Sequence, residues 1–324
     1  TALSCANRCV FCWRGYKAPV SKEWEGKVDD AKMILDESIK AHHKLLIGFA
    51  GSDKKNDEIY EKSKTVKHVA LSLTGEPIIY PKINEFLDHC NKEGISTFMV
   101  TNAQYWKQIR DLAPVTQLYL SIDAPTKELL KEVDKPLFSD YWERMNKSLE
   151  MLSQKKQRTC IRLTIVKKIN DVFPEKYAAL IKKGSPDFIE VKSYMFVGPS
   201  RQRLKRENMP LHEEIVRFSQ KLLKHLPDYE IVSEHIPSRV VMLAKKKFKF
   251  GDTWFTWINF EKWQELVNSG EEFTAEKYSI RTPEVGLSGK GTIDQMPEHA
   301  KEKFLKENPG FVYVDEKTEE MDLY

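Results

Sequence analysis

The chain has 324 residues, 41% hydrophobic and 31% charged, with a formal net charge of +4. That suits one large barrel or two ordinary soluble domains, and the longest apolar run, Leu45 to Ala50, is far short of the ~20 residues of a membrane span. Five cysteines at this length make no disulfide framework, which favours a reducing cytoplasm, and the mild basicity permits a nucleic-acid partner without requiring one. No signal peptide is recognised, and the sequence starts at Thr1 without a methionine, so a preceding segment is expected.

Thr1 to Ser4 is compatible with the end of a strand. Cys5, Cys9 and Cys12 follow, three thiols separated by gaps of three and two residues. Thiolates this close can hold three corners of one iron–sulfur cube. The fourth iron is then open to a small molecule, as on any catalytic metal with a free position. The competing reading is a zinc knuckle, which needs a fourth protein ligand. The next candidates, His42 and His43, lie far along the chain.

From Asp29 to Phe49, apolar residues recur at helical spacing (Ile34, Leu35, Ile39, Leu45, Leu46, Phe49), and a lysine-rich insert around Ser52 to Asn56 follows. Strands and helices then alternate. Strands are expected at His68–Thr74, Ile95–Val100, Gln117–Ile122, Arg158–Val166 and Phe188–Val197. Helices are expected at Lys82–Glu93, Trp106–Leu112, Tyr141–Leu152 and Glu175–Lys183. Such alternation implies a parallel sheet, and about six units in roughly 200 residues imply a partial or full (β/α) barrel with its site at the C-terminal strand ends.

One face of these strands is apolar, as in Leu118, Leu120 and Ile122. The other carries Tyr119, Ser121 and Asp123, then Cys160, Arg162 and Thr164, then Glu190, Lys192 and Tyr194. A parallel strand buried on both sides reads as continuously apolar, so a polar inner face points to a ligand cavity. The alternative is a set of half-exposed edge strands. Lys192 lies on the inward face, where it can meet a carboxylate or phosphate, or serve as an ion-pair partner. Cys90 and Cys160 read as packing residues.

Beyond Val197 the character changes. A basic run from Arg201 to Arg206 is followed by a helix over Leu211–Leu226 and a strand over Tyr229–His235. A second basic run, Lys245 to Lys249, precedes Trp254, Trp257 and Trp263. Both runs suit phosphate contacts, and tryptophans suit base stacking; a solvated charged face over core tryptophans is the competing reading. Pro283–Pro297 reads as a glycine-containing loop and the tail after Asp315 as acidic and frayed.

Together these residues resemble the radical S-adenosylmethionine superfamily. The resemblance lies in the triplet Cys5, Cys9 and Cys12 with Phe11 before the last cysteine, and in Thr74-Gly75-Glu76-Pro77 at the end of the next strand. Within that superfamily, Cys12 to Tyr16, Glu190 to Gly198 with Arg201, Arg203 and His212, and Thr253 to Phe260 are similar to the 4-demethylwyosine synthase family. The resemblance covers nearly the whole chain.

It implies a radical SAM partial (β/α) barrel over residues 1–235. A wyosine-base-formation and tRNA-binding extension is expected over 236–324. It implies a [4Fe–4S] cluster on Cys5, Cys9 and Cys12. It implies S-adenosylmethionine bound by Thr74, Gly75, Glu76, Pro77, Thr101, Asn102, Ser121, Asp123 and Arg162. The implied reaction condenses N1-methylguanosine at position 37 of phenylalanine tRNA with pyruvate. Arg201, Arg203, Lys205, Arg206, Lys245, Lys247 and Trp254 are then the tRNA contacts. An electron donor such as flavodoxin or ferredoxin is implied, with a monomer in the cytoplasm and no membrane. The family also carries cysteines for a second cluster, and a pyruvate-binding lysine, upstream of the triplet. Neither is found among these residues, and Lys192 is the inward lysine that can substitute. The 324 residues alone are therefore expected to cleave S-adenosylmethionine without completing the tricyclic base.

Overall fold

The structure, a computed structural model, describes residues 4–15, 17–283, 287, 312–314 and 321–323. Most of the expected Pro283–Pro297 loop and of the tail after Asp315 therefore lies outside the described residues, as do Thr1 and Tyr16.

Two helices precede the sheet: α1 (Ala31–Leu46) and α2 (Asp57–Ser63). Each starts on a side-chain cap. Asp30 accepts from the Met33 amide and Asn56 from the Ile59 amide, both at 3.0 Å, which satisfies a donor the helix itself cannot. Then come β1 (His68–Leu71), α3 (Ile83–Lys92), β2 (Ser96–Thr101), α4 (Trp106–Asp111) and β3 (Gln117–Ser121). They are followed by α5 (Lys127–Asp134), α6 (Tyr141–Ser153), β4 (Arg158–Ile165), α7 (Pro174–Gly184), β5 (Phe188–Ser193), α8 (His212–Leu223), β6 (Tyr229–His235) and β7 (Val240–Lys245).

The seven strands form one sheet in the order β1-β2-β3-β4-β5-β7-β6. Strands β1 to β5 are parallel, each joined to the next through helix, as a partial (β/α) barrel requires. The alternation stops there. β7 runs antiparallel to both β5 and β6, so a hairpin closes this side of the sheet. The expected division after residue 235 falls inside that hairpin.

The two faces of the sheet separate as the period-2 pattern demands. Leu118, Leu120, Ile161, Leu163, Ile189 and Val191 join the main core with helix residues such as Leu149, Tyr177, Ile181 and Leu222. On the other face, Cys160 and Phe188 pack against Phe248 and Trp254, so the C-terminal segment fills one end of the inner face. Arg158 is buried there. Its guanidinium donates to Gln117 Oε1, Ser279 Oγ and the Thr256 carbonyl at 2.7–3.1 Å and lies 4.2 Å from the Phe188 ring centre.

Past β7 the chain forms β8 (Lys249–Phe250), β9 (Thr253–Trp254), β10 (Trp257–Ile258), α9 (Phe260–Ser269) and β11 (Ser279–Ile280). These pair as β8 with β9 and β10 with β11, and β12 (Val312–Val314) pairs with β13 (Met321–Leu323). Among the described residues no helix is long and apolar enough to cross a membrane.

Candidate active site

The cysteine loop has no regular structure of its own and is held from outside. The Arg8 and Val10 amides donate to the Asp134 and Val133 carbonyls at 2.9 and 2.8 Å, and the Leu137 amide donates to the Ala6 carbonyl at 2.8 Å. All three anchors lie at the C-terminal end of α5, where the chain turns through Lys135 at φ 45°. Asn7 Nδ2 donates to Asp134 Oδ2 at 3.1 Å, and both side chains are buried. The sequence pattern did not reveal α5, although Thr126 caps it by accepting from the Leu129 amide at 3.3 Å.

Cys5, Cys9 and Cys12 line one small pocket of about 90 Å³, together with Gly75, Arg8, Arg14 and Arg203. Among the described residues no three side chains converge on a single metal ion. Each iron of a cube takes one thiolate. Burial pushes the Cys5 thiol up to about 12 and raises Cys9 as well. Thiolates here need positive charge beside them, which a cluster's iron supplies, so the donor set fits the implied group. The 770 Å³ cavity between α1, α2 and the outer edge of β1 is lined by none of the cysteines, nor by Glu76, Asn102 or Asp123.

The strand ends supply the polar groups. After β1 the chain turns through Leu73 at φ 76° and Gly75 at φ 71°, and the Glu76 amide reaches the Ser4 carbonyl at 2.8 Å. Trp13 Nε1 donates to the Leu73 carbonyl at 3.1 Å. Glu76 is 2% exposed. Its Oε2 accepts from the Asn102 amide at 2.8 Å, while Oε1 is buried without a hydrogen-bond partner. Burial raises this carboxyl to about 7. A buried acceptor without a donor is costly, and an ammonium is the donor that would satisfy it. Asn102 Nδ2 in turn points at Cys5 Sγ, 3.5 Å away. Asp123 accepts from the Thr164 amide at 3.3 Å. Burial raises both Asp123 and its neighbour Asp134.

A family model for the radical SAM superfamily matches residues 2–181, and one described as wyosine base formation matches 183–245. A solved structure titled "Structure of TYW1 with a lysine-pyruvate adduct bound" superposes with a TM-score of 0.68 at 32% identity. It covers 78% of this chain and 80% of that one. The chain belongs to the radical SAM superfamily and, within it, to the tRNA 4-demethylwyosine synthases. The archaeal TYW1 crystal structure gives a TM-score of 0.61 at 29% identity, over 72% of this chain and 76% of that one. The S-adenosyl-L-methionine-dependent tRNA 4-demethylwyosine synthase TYW1 of Xenopus laevis is 48% identical over 295 residues, and that of Homo sapiens 46%. Each alignment spans 89% of this chain but 40% of the relative, so the chain spans less than half the length of these curated relatives.

The strand-end residues Gly75, Glu76, Thr101, Asn102, Ser121 and Asp123 all follow or end β1, β2 and β3, which are neighbouring parallel strands. Thr74 belongs to the Leu73 turn, and buried Pro77 starts the short turn of helix after Glu76. Arg162 is ion-paired to Glu190 at 3.0 Å and lies over the Tyr119 ring. Lys192 is half-buried on the same face of β5, and its side chain has no hydrogen-bond or ion-pair partner among the described residues.

The basic residues divide. Arg201, Lys205 and Arg206 are exposed. Arg203 does not reach outward: its Nε donates to the Val10 carbonyl at 2.9 Å and its Nη2 to the carbonyls of Cys12 and Arg14. Lys247 is tied to Asp187 at 2.8 Å and Glu276 at 2.9 Å, and Lys245 to Ser185 at 2.6–2.7 Å. Trp254 is 8% exposed in the core beneath the sheet, so it offers no face on which a base could stack. The expectation of a tRNA contact fails at Trp254 for that reason. Alternation of basic and aromatic residues is also what a buried aromatic cluster with an ion-paired rim produces.

Proposed function

We propose that this chain forms the radical-generating core of a tRNA 4-demethylwyosine synthase, acting on N1-methylguanosine at position 37 of phenylalanine tRNA with pyruvate as co-substrate. The observation that carries the reading is the chain from Glu76 through Asn102 to Cys5, which links a buried, half-satisfied carboxylate to a cluster thiol in a member of that family. Cys5, Cys9 and Cys12 hold the [4Fe–4S] cluster. With S-adenosylmethionine bound, that group supplies a 5′-deoxyadenosyl radical.

The chain's own residues position and exclude. Glu76 Oε1 takes the ammonium of the methionine moiety in a charge-assisted contact. Asn102 donates to the Cys5 sulfur, the kind of outer contact that orients a ligand. Asp123, Ser121 and Thr101 line the neighbouring strand ends, where ribose and carboxylate are held. The phenylalanine tRNA loop meets the exposed Arg201, Lys205 and Arg206, and its target base leaves the stack to reach the strand ends. One solved relative is titled with a lysine–pyruvate adduct; here Lys192 is the inward cation we assign to the pyruvate carboxylate. A flavodoxin- or ferredoxin-type donor, a monomeric state and a cytoplasmic setting complete the proposal. A second cluster, held by cysteines upstream of this sequence, belongs to it as well.

The test is anaerobic reconstitution followed by reduction with S-adenosylmethionine, pyruvate and either methylated or unmethylated tRNA. Expected is 5′-deoxyadenosine that rises with methylated tRNA. It should vanish in Cys5→Ala, Cys9→Ala and Cys12→Ala and persist in Cys90→Ala and Cys160→Ala, whose thiols are buried away from the pocket. Equal yield with unmethylated tRNA would assign the chemistry to another substrate. Normal yield from Cys9→Ala would remove the cluster from this loop.

A further inference from the structure

The turn that follows β5 is built onto the cysteine loop. Arg203 sends its fork to three carbonyls of that loop: Val10 at 2.9 Å, Arg14 at 3.2 Å, and also Cys12. Gly198 approaches so closely that a Cβ would lie 2.6 Å from the Trp13 carbonyl oxygen, and its φ of 54° disfavours any other residue. Ser200 is fully buried; it hydrogen-bonds Tyr194 at 2.8 Å, and its carbonyl accepts from the Arg203 amide at 2.9 Å. Beneath this turn Val10 and Phe11 pack with Leu204 and Met209 in one apolar cluster.

Backbone carbonyls in an irregular loop need partners from elsewhere. A guanidinium fork can bridge several at once, whereas an ammonium is a point donor on a flexible stem. Arg203 also lines the cysteine pocket itself. We infer that Arg203 is a positioning residue for the cluster-ligand loop. Seated by Gly198 and Ser200, it fixes the backbone from Val10 to Arg14 so that Cys9 and Cys12 present their thiolates together. The inference rests on the reading that these cysteines carry a [4Fe–4S] cluster. It makes the segment matched by the wyosine model and the loop matched by the radical SAM model one mechanical unit.

The experiment uses the whole chain, reconstituted anaerobically, as wild type, Arg203→Lys, Arg203→Gln and Gly198→Ala. Circular dichroism reports the fold, chelator-driven iron release reports the loop, and electron paramagnetic resonance of the reduced cluster reports its response to S-adenosylmethionine. All three variants should fold, release iron about tenfold faster or more, and lose much of the spectral shift on cofactor addition. Lysine should not rescue. Wild-type iron release and an unchanged shift in the variants would overturn the inference, as would full rescue by lysine, because charge rather than the fork would then suffice. Global unfolding of all three would also contradict it, since Arg203 would then hold the barrel rather than the loop. A wild-type chain that takes up no cluster would instead overturn the cluster reading.

Discussion

Glu76 and Asn102, at the ends of neighbouring parallel strands, are joined by a 2.8 Å hydrogen bond from the Asn102 amide to Glu76 Oε2. The Asn102 side chain continues to Cys5 Sγ at 3.5 Å. One residue thereby sets both the carboxylate that we assign to the cofactor and the thiol that we assign to the cluster, and a shift of either strand end moves both.

Glu76→Gln should weaken S-adenosylmethionine binding while leaving the cluster in place. A hydrogen bond to a charged group is worth about 1.5–3 kcal/mol, or roughly ten- to hundredfold in affinity. Titration of the reconstituted variant reads this out. Unchanged affinity would mean that Oε1 faces something other than the ammonium.

The same carboxylate gives the cluster-free protein a pH-dependent stability. Burial raises Glu76 from an ordinary 4.5 to about 7, so the folded state binds this proton more tightly than the unfolded state. The stabilisation is complete below about 4.5 and is lost as pH rises through about 7. Between pH 5 and 8 the loss is on the order of 2–3 kcal/mol. Denaturant melts across that range should show the slope in wild type, and a shallower one in Glu76→Gln. Equal slopes would place the raised proton on another group.

Trp254→Ala should act on stability rather than on tRNA. The side chain is 8% exposed among Phe188, Phe248 and Cys160, and truncating a buried tryptophan costs about 3–5 kcal/mol. Its melting temperature should fall steeply. Where the variant is still folded, the salt dependence of tRNA binding should match wild type; a changed slope with unchanged stability would restore Trp254 to the tRNA surface.

The parallel strands were legible because their alternation is strong. Leu118 and Leu120 in Gln117–Ser121, and Ile161, Leu163 and Ile165 in Arg158–Ile165, mark one apolar face, while the strand expected to reach Thr74 ends at Leu71, ahead of the turn through Leu73 and Gly75. Cys5, Cys9 and Cys12 stand out in the sequence by their spacing, and Glu76 by the family resemblance of the segment Thr74 to Pro77. The hairpin strand β7 was not: Val240 to Ala244 is continuously apolar and runs into Lys245 to Lys249, so the charge run dominated the reading. Helix α5 is short, eight residues between Pro125 and Pro136, and its role as anchor of the cysteine loop exists only in three dimensions. The fate of Arg203 was hidden for the same reason. Its neighbours Arg201 and Lys205 are exposed, and nothing in the run Arg201 to Arg206 distinguishes the one basic side chain that turns inward.

Neutralising Arg201, Lys205 and Arg206 together should lower the slope of log affinity against log salt for tRNA. Each cation taken off a phosphate should reduce it by about 0.7 to 0.9 of a unit. Arg203 is spent on the carbonyls of Val10, Cys12 and Arg14, so adding Arg203→Gln should lower the slope no further. An unchanged slope in the triple variant would return this run to a solvated face.

The most direct measurement places deuterium on the N1-methyl group of the target guanosine. Reduced, reconstituted chain with S-adenosylmethionine and trideuteromethylated tRNA should yield 5′-deoxyadenosine carrying one deuterium. That carbon–hydrogen bond is the one broken if Glu76, Asn102 and the three cysteines form the radical site facing a flipped base. 5′-Deoxyadenosine formed on tRNA addition but free of deuterium would contradict the assignment.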